Sequence, residues 1–400
     1  MNDKIDKGLK KIIYISTMPY DEKIMRDWYV EKLTKNDYDV EFWDISNISS
    51  NPVSEIKENT LNGVKLLENL TYRQLSKLLY KNRKSNIIYV IIASFHLHTS
   101  KLYRILNKYK IFTVVFHWGD TPECLSFRKK SFYQKILMLF NNQLAFKNSM
   151  KNILGVIYCK VIKKLKLIKK YDIYFYAGTF SKSLHDSKKN IEINLCDYDQ
   201  YLINAKLNLK PLNQTVFLDS NLTANSDIRL NGLKKINPEK YFNALSRYFD
   251  LFEEKYQTEV IISAHPTSNY TNNEYKGRKV TRLQTAKLVS QSKYVLSHHS
   301  TSISYAVLNY KPINFLVIDE WIGEYEESTN IEFSKSLGCK LINIDKISSV
   351  DEMTFNKVDK NLYDDYKYNY IASKKTEGLL SGSIILNEFN KHFKGNNING

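Results

Sequence analysis

The feature that most limits what this chain can fold into is a repeated alternation of short apolar runs with stretches of helical periodicity. Asn86–Ser94 (NIIYVIIAS) and Glu259–Ala264 (EVIISA) show no polar–apolar alternation in their interiors. Strands apolar on both faces belong to parallel sheets that helices cover on both sides. Parallel neighbours require crossover connections, which the helical stretches supply. Strands are expected at Lys11–Thr17, Asp39–Ile45, Asn86–Ser94, Ile111–His117, Ile173–Ala177 and Ile191–Leu195. A second series follows at Val216–Asp219, Glu259–Ala264, Tyr294–Ser297, Pro312–Asp319 and Lys340–Asp345. Helices are expected at Asp21–Thr34, Tyr72–Tyr80, Ser100–Tyr109, Pro238–Tyr256, Thr281–Lys293 and Ser302–Tyr310, with a helical tail over Leu362–Phe393. Thr281 and Gln284 have capping-box spacing, and 46–60 reads as loop.

At 400 residues the chain exceeds one core, since single cores stop growing at roughly 250–300 residues. A polar stretch with a proline and no periodicity, KLNLKPLNQT, marks the join. The expected organisation is a Rossmann-like unit over 1–205, a linker over 206–214, a second Rossmann-like unit over 215–360, and C-terminal helices over 361–400 that pack back across both.

Four scattered cysteines without a CxxC pair fit neither a zinc site nor a disulfide scaffold, and point to a reducing cytosol. The charged start runs directly into a short strand, unlike a signal peptide. No run of about 20 apolar residues could span a membrane. The net charge of +17 is uneven, with twelve basic and no acidic residues from Arg128 to Lys170. Aliphatic residues interleave with these lysines, as in a helix lying on an anionic leaflet; a domain-packing helix with a solvated lysine face is the other reading. No nucleic-acid motif accompanies the charge, so nucleic acid is not an expected partner. GxGxxG and Walker A loops are absent from the sequence, which disfavours dinucleotide and ATP use.

Ligands of open α/β sheets bind at the carboxyl ends of the strands. Two such ends in the second half carry polar clusters, His265-Pro266 and His298-His299-Ser300-Thr301-Ser302. If their strands are neighbours, both open onto one crevice. The second cluster starts a helix, where hydroxyls and free amide groups suit a phosphate or carboxylate; Ser302 could also serve as a simple N-cap.

AHP, then about thirty residues, then HHSTSISYAVLNYKPINFL resembles the donor domain of bacterial capsule and lipooligosaccharide glycosyltransferases of the GT-B fold. Sialyltransferase-like members hold CMP with a His-Pro and a later Ser-Ser or Ser-Thr motif. Teichoic acid polymerases that use CDP-glycerol look similar, and Lys311-Pro312 matches their Lys-Pro. The resemblance, over roughly 215–320, implies two Rossmann-like domains facing a central cleft, the first binding the acceptor and the second the nucleotide-sugar. It implies an inverting, metal-independent transfer of an acidic sugar (a nonulosonate or Kdo) from a CMP-sugar to a glycan or glycolipid acceptor. No cofactor is implied. By this likeness His265, with Pro266, contacts the donor phosphate and stabilises the leaving nucleotide, Ser300, Thr301 and Ser302 hydrogen-bond it, and His299 and Arg278 are supporting cations. His298 reads as structural. The family's acidic motif is missing, so the base falls to Asp219 at the end of VFLD, with Asp120 in FHWGDTPE as the other candidate. The same fold with a UDP-sugar or CDP-polyol donor, and a non-catalytic glycan- or lipid-binding protein, are the alternatives. The location implied is cytoplasmic, peripheral at the inner face of the cell membrane.

Two further patterns compete. Asp197-Tyr198-Asp199 spells DxD, a metal-binding signature of the other glycosyltransferase fold, and His96-Leu97-His98 could place two imidazoles on one side of an extended segment. Neither is supported by its surroundings, and no metal is expected.

Overall fold

The computed structural model describes residues 10–46, 48, 57–122, 155, 157–165, 167–224, 235–271 and 274–396. Most of the basic stretch 128–170, including 128–154, lies outside the described residues.

The first unit comprises β1 (Lys10–Ser16), α1 (Glu22–Asp27), α2 (Val30–Thr34), β2 (Tyr38–Asp44), β3 (Lys57–Leu61), β4 (Val64–Glu68), α3 (Tyr72–Lys81), β5 (Ile87–Ile92), α4 (Ser100–Tyr109), β6 (Thr113–His117), α5 (157–164), β7 (Tyr171–Ala177) and β8 (Ser187–Ile193). Its sheet has the order β3-β4-β2-β1-β5-β6-β7-β8. All neighbours are parallel except β3 and β4. Residues of β1 and β5 fall alternately into two apolar layers, Ile12, Tyr14, Ile88 and Val90 on one face and Ile13, Ile15, Tyr89 and Ile91 on the other. That is why these runs lack alternation in sequence.

The second unit holds α6 (Cys196–Ala205), β9 (Gln214–Leu218), α7 (Pro238–Tyr256), β10 (Glu259–Ser263), β11 (Val280–Thr281), α8 (Thr285–Gln291), β12 (Tyr294–Ser297), α9 (Ile303–Leu308), β13 (Ile313–Val317), α10 (Tyr325–Leu337), β14 (Lys340–Asn343) and α11 (Lys360–Tyr366). Its sheet is wholly parallel with the order β11-β10-β9-β12-β13-β14. Helix α7 starts at Pro238, where a missing N–H costs nothing, and Asn237 caps it through the Lys240 amide.

The tail joins the two units. Tyr363, Tyr366 and Tyr370 enter the core of the second unit, while Ile385, Phe389 and Phe393 of α12 (Ser381–Asn396) enter that of the first. Helix α6, expected within the first unit, packs Tyr198, Tyr201 and Leu202 into the core of the second.

Several local expectations are corrected. The helix expected over Asp21–Thr34 breaks at Tyr29, whose φ of 57° is costly for a large side chain. Its hydroxyl donates to buried Asp199 at 2.8 Å, which fixes the break. Of the 46–60 stretch expected as loop, 47 and 49–56 lie outside the described residues, and 57–60 belong to a hairpin, β3–β4, turning at Asn62-Gly63 with both φ positive, a turn type that Asn-Gly favours. Thr281 belongs to β11, so the Thr281–Gln284 capping box does not form and α8 starts four residues late.

Candidate functional site

Strands β10, β9 and β12 lie side by side and end level, Ser263 opposite Leu218 and Leu218 opposite Ser297. The residues two positions further on, His265, Ser220 and His299, therefore leave the sheet at one edge. The strands carrying the two polar clusters are not direct neighbours, because β9 lies between them. At about 4.8 Å per strand the clusters start roughly 10 Å apart.

The turn after β9 links them. Ser220 donates its hydroxyl to the His299 carbonyl at 3.1 Å, and the Asn221 side chain donates its Nδ2–H to Thr267 Oγ1 at 3.3 Å. Asp219 is 5% exposed, and its carboxylate accepts four hydrogen bonds: from the amides of His265 (3.1 Å) and Asn221 (3.0 Å), and from the hydroxyls of Tyr270 (2.9 Å) and Tyr275 (3.1 Å). A carboxylate so enclosed ties the turn after β9 to the connection between β10 and β11. Each of its oxygens already accepts two hydrogen bonds, which disfavours the role of base expected for it.

His265 is half-buried beside exposed Pro266. Its Nδ1 accepts the Thr267 backbone N–H at 3.2 Å and lies 2.7 Å from the Thr267 hydroxyl. The neutral ring therefore carries its proton on Nε2. Ser300 Oγ accepts the Ser302 amide at 3.3 Å, Thr301 is exposed, and Ser302 precedes α9 without a side-chain cap bond. Ser302 thus does not act as the N-cap acceptor that its position allowed.

The two supporting cations are corrected. Burial pushes the His299 pKa down to about 4, so the ring is neutral at pH 7. Asn330 on α10 fixes its tautomer: the amide nitrogen donates to the Glu326 carbonyl at 2.8 Å and lies 3.3 Å from His299 Nδ1. Arg278 pairs with Asp250 (2.5 Å) and Glu253 (2.7 Å) of α7, its guanidinium over the Phe249 ring. Glu253 also accepts the Val260 amide near the start of β10, so Arg278 sits towards the opposite edge of the sheet.

His298 is fully buried. Its Nδ1 must donate to the Leu316 carbonyl (2.7 Å), so Nε2 accepts from Tyr241 (2.9 Å), and burial pushes its pKa down to about 3. Lys311 donates to the carbonyls of Ser290 (3.0 Å) and Ser292 (2.6 Å) behind α8, and so serves packing.

On the other sheet, Asp120 follows β6 at its carboxyl edge and is half-buried. Gly119, at φ +84°, presses against the Tyr370 carbonyl of the tail so closely that a side chain could not fit. Asp120 thus stands where the first unit meets the tail segment of the second.

The DxD carboxylates face different partners. Asp197 accepts from Ser304 (2.5 Å) and Tyr305 (2.9 Å) of α9, and Asp199 from Tyr29 and the amides of Ser381 and Gly382. The rings of His96 and His98 stack at 5.6 Å. Among the described residues no group of three or more His, Cys, Asp or Glu is arranged to hold a metal ion.

Sequence reasoning missed Ser220, Asn221, Thr267 and Asn330. Asn330 lies on α10, whose apolar periodicity is weak, but acidic Glu326 and Glu327 in its first turn, Lys335 in its last and Gly338 just beyond are boundary signals legible in the sequence.

No family model matches this chain, and no curated relative does. Among solved structures, a variant of the wall teichoic acid polymerase TagF aligns over 97% of this chain and 89% of its own, at 11% identity and a TM-score of 0.50. The fold is GT-B. The calicheamicin glycosyltransferase CalG4 aligns over 96% of this chain and 98% of its own (9% identity, TM-score 0.49). A UDP-GlcNAc 2-epimerase from Methanocaldococcus jannaschii aligns over 96% and 99% (13% identity, TM-score 0.45).

Proposed function

We propose that this protein is an inverting, metal-independent glycosyltransferase that moves an acidic, nonulosonate- or Kdo-like sugar from a CMP-sugar to a surface-glycan acceptor. The single observation that carries the reading is the level ending of β10, β9 and β12. It gathers His265, the Asp219–Asn221 turn and Ser300–Ser302 at the carboxyl edge of one parallel sheet, where this fold class binds ligands.

In this reading residues 215–360 hold the donor and 1–205 the acceptor, with 206–214 as linker and 361–400 packing back across both. Ser300, Thr301 and Ser302 hydrogen-bond the phosphate, with Pro266 shaping the turn. His265 presents Nε2–H to the departing phosphate oxygen as a hydrogen-bond donor that stabilises the developing charge and keeps its proton. Asp120 takes the acceptor hydroxyl proton, because the Asp219 carboxylate is enclosed. The acceptor oxygen attacks the anomeric carbon as the bond to phosphate breaks, which inverts the centre. The enzyme works in the cytoplasm, at the inner face of the membrane.

A thermal-shift panel of CMP, CDP and UDP, each with and without EDTA, tests this. CMP should raise the melting temperature most, EDTA should change nothing, Ser300→Ala should abolish the shift and His265→Ala should reduce it only in part. A larger shift with UDP or CDP would replace the donor assignment. No shift with any nucleotide, or one indifferent to both substitutions, would end the transferase reading.

A further inference from the structure

The described part of the basic stretch presents a feature that the transfer chemistry does not use. Ile157, Val161 and Leu165 follow one another at four-residue spacing along and just past α5, so they share one face. Together with Leu167 and with Leu97 of the loop after β5, they are 45–61% exposed. Lys160, Lys163, Lys164 and Lys170 are exposed around them.

The helix is held in place at both ends. Gly155, just ahead of it, lies against Leu97, where a β-carbon would come within 3.5 Å. Beyond it, the Leu167 carbonyl accepts the Asn107 amide of α4 at 2.9 Å. Lys163 stands 5.8 Å over the Phe95 ring. An exposed aliphatic stripe would normally be turned inward. Bordered by lysines, in a stretch of twelve basic and no acidic residues, it matches an interfacial segment. Aliphatic side chains enter the acyl boundary while the ammonium groups remain among anionic headgroups.

We infer that the Ile157–Val161–Leu165 face, with Leu97 and Leu167, is a docking surface for an anionic lipid bilayer. The charge complementarity selects this occupant, since each lysine near an anionic leaflet multiplies affinity roughly fivefold. Leu97 at one end of the patch lies in the loop after β5, at the carboxyl edge that also carries Asp120, while Leu167 at the other end lies beside the end of α4 at the opposite edge. Docking along this face lays the flank of the first unit on the membrane, with the carboxyl edge at one end of the contact. Its use in meeting a lipid-linked acceptor rests on the transferase reading, whereas the docking itself does not.

Co-sedimentation with vesicles of phosphatidylcholine alone, or with about 30% phosphatidylglycerol, tests the inference on the full chain. The wild type should prefer the anionic vesicles at least tenfold and release them in high salt. Ile157→Ser/Val161→Ser/Leu165→Ser and Lys160→Gln/Lys164→Gln should each lose most of that preference while keeping the wild-type melting temperature and CMP-induced shift. No preference for anionic vesicles would overturn the inference. So would an aliphatic triple variant that folds and binds like the wild type, or RNA bound as tightly as vesicles and indifferent to the triple variant. A protein that binds vesicles but no nucleotide would uphold the docking surface and end the transferase reading.

Discussion

The carboxylate of Asp197 on α6 accepts the hydroxyl of Tyr305 on α9 at 2.9 Å, and the neighbouring Ser304 hydroxyl bonds the same group. Ser304 and Tyr305 are buried and Asp197 is half-buried. Ser304 and Tyr305 lie just past Ser300–Ser302, so this contact anchors the proposed donor loop to the helix that follows the first unit. Two residues along, Asp199 reaches Tyr29 of the first unit and the start of α12. The DxD sequence is thus a pair of fasteners pointing in different directions.

Asp197→Ala should cost stability. It leaves two buried hydroxyls without an acceptor, at about 1–3 kcal/mol each. Asp197→Asn keeps an acceptor oxygen and should cost less. Burial pushes the Asp197 carboxyl above its ordinary range, and the Ser304 and Tyr305 hydroxyls offset this only in part. The unfolded chain therefore releases this proton at lower pH than the folded one, so the group's contribution falls as pH rises through and above about 3.9. Urea midpoints should show the wild type's advantage over Asp197→Asn shrinking from pH 4 to pH 8. A constant difference would mean that Asp197 carries the same charge in both states.

Gly119→Ala should destabilise the junction of the two units. The residue combines a φ of +84° with backbone contact to Tyr370, so an added methyl meets strain and a clash together. A loss above about 1 kcal/mol is expected for such a position. Gly63→Ala, at φ +76° with open space around it, should cost less because only the strain applies. Melting temperatures of the two variants provide the comparison, and equal losses would show that the Tyr370 contact is unimportant.

Much of this architecture was legible because the strands are buried on both faces. Continuous runs such as IIYVII and INFLV reveal parallel strands without any knowledge of partners. The order of the strands was not legible, since β9 enters between β10 and β12 only through long-range pairing. For the same reason Asp219 read as a base: nothing in VFLD signals that Tyr270 and Tyr275, fifty residues on, close over it. The Asn62-Gly63 dipeptide is a turn signal, but the flanking Lys57–Leu61 strand is exposed and carries no apolar pattern to mark a hairpin. Thr281 shows a local signal overridden, since pairing with Ser263 holds it in a strand where a capping box would have it start a helix.

The neutral buried histidines predict acid sensitivity. Burial lowers His298 to about 3 and His299 to about 4, while an unfolded histidine titrates near 6.5. A depressed folded pKa contributes stability that is complete above about 6.5 and is lost as pH falls towards the folded value. The loss should be on the order of a few kcal/mol between pH 7 and pH 4. His298→Leu should be less stable at pH 7, because Tyr241 and the Leu316 carbonyl lose their shared partner, and its stability should fall less steeply with acid. Denaturant midpoints across that range measure both effects, and parallel curves would show that His298 titrates normally.

The setting of His265 yields a prediction that separates chemistry from packing. Nδ1 takes the Thr267 amide and lies beside its hydroxyl, so Thr267 orients the ring and keeps the proton on Nε2. A hydrogen-bond donor aimed at charge that develops in the transition state is worth roughly 10²–10³ in kcat. With the donor that the nucleotide panel selects, His265→Ala should therefore lower kcat by about that factor. Thr267→Val retains the amide contact and loses only the hydroxyl, so a drop of roughly tenfold is expected, equal to about 1.4 kcal/mol of transition-state stabilisation. KM should change little, because the donor is still held by the Ser300–Ser302 loop, and Thr267→Ser should restore the rate. If Thr267→Val instead raised KM at unchanged kcat, the ring would be acting in ground-state binding, and the leaving-group role would pass to another residue.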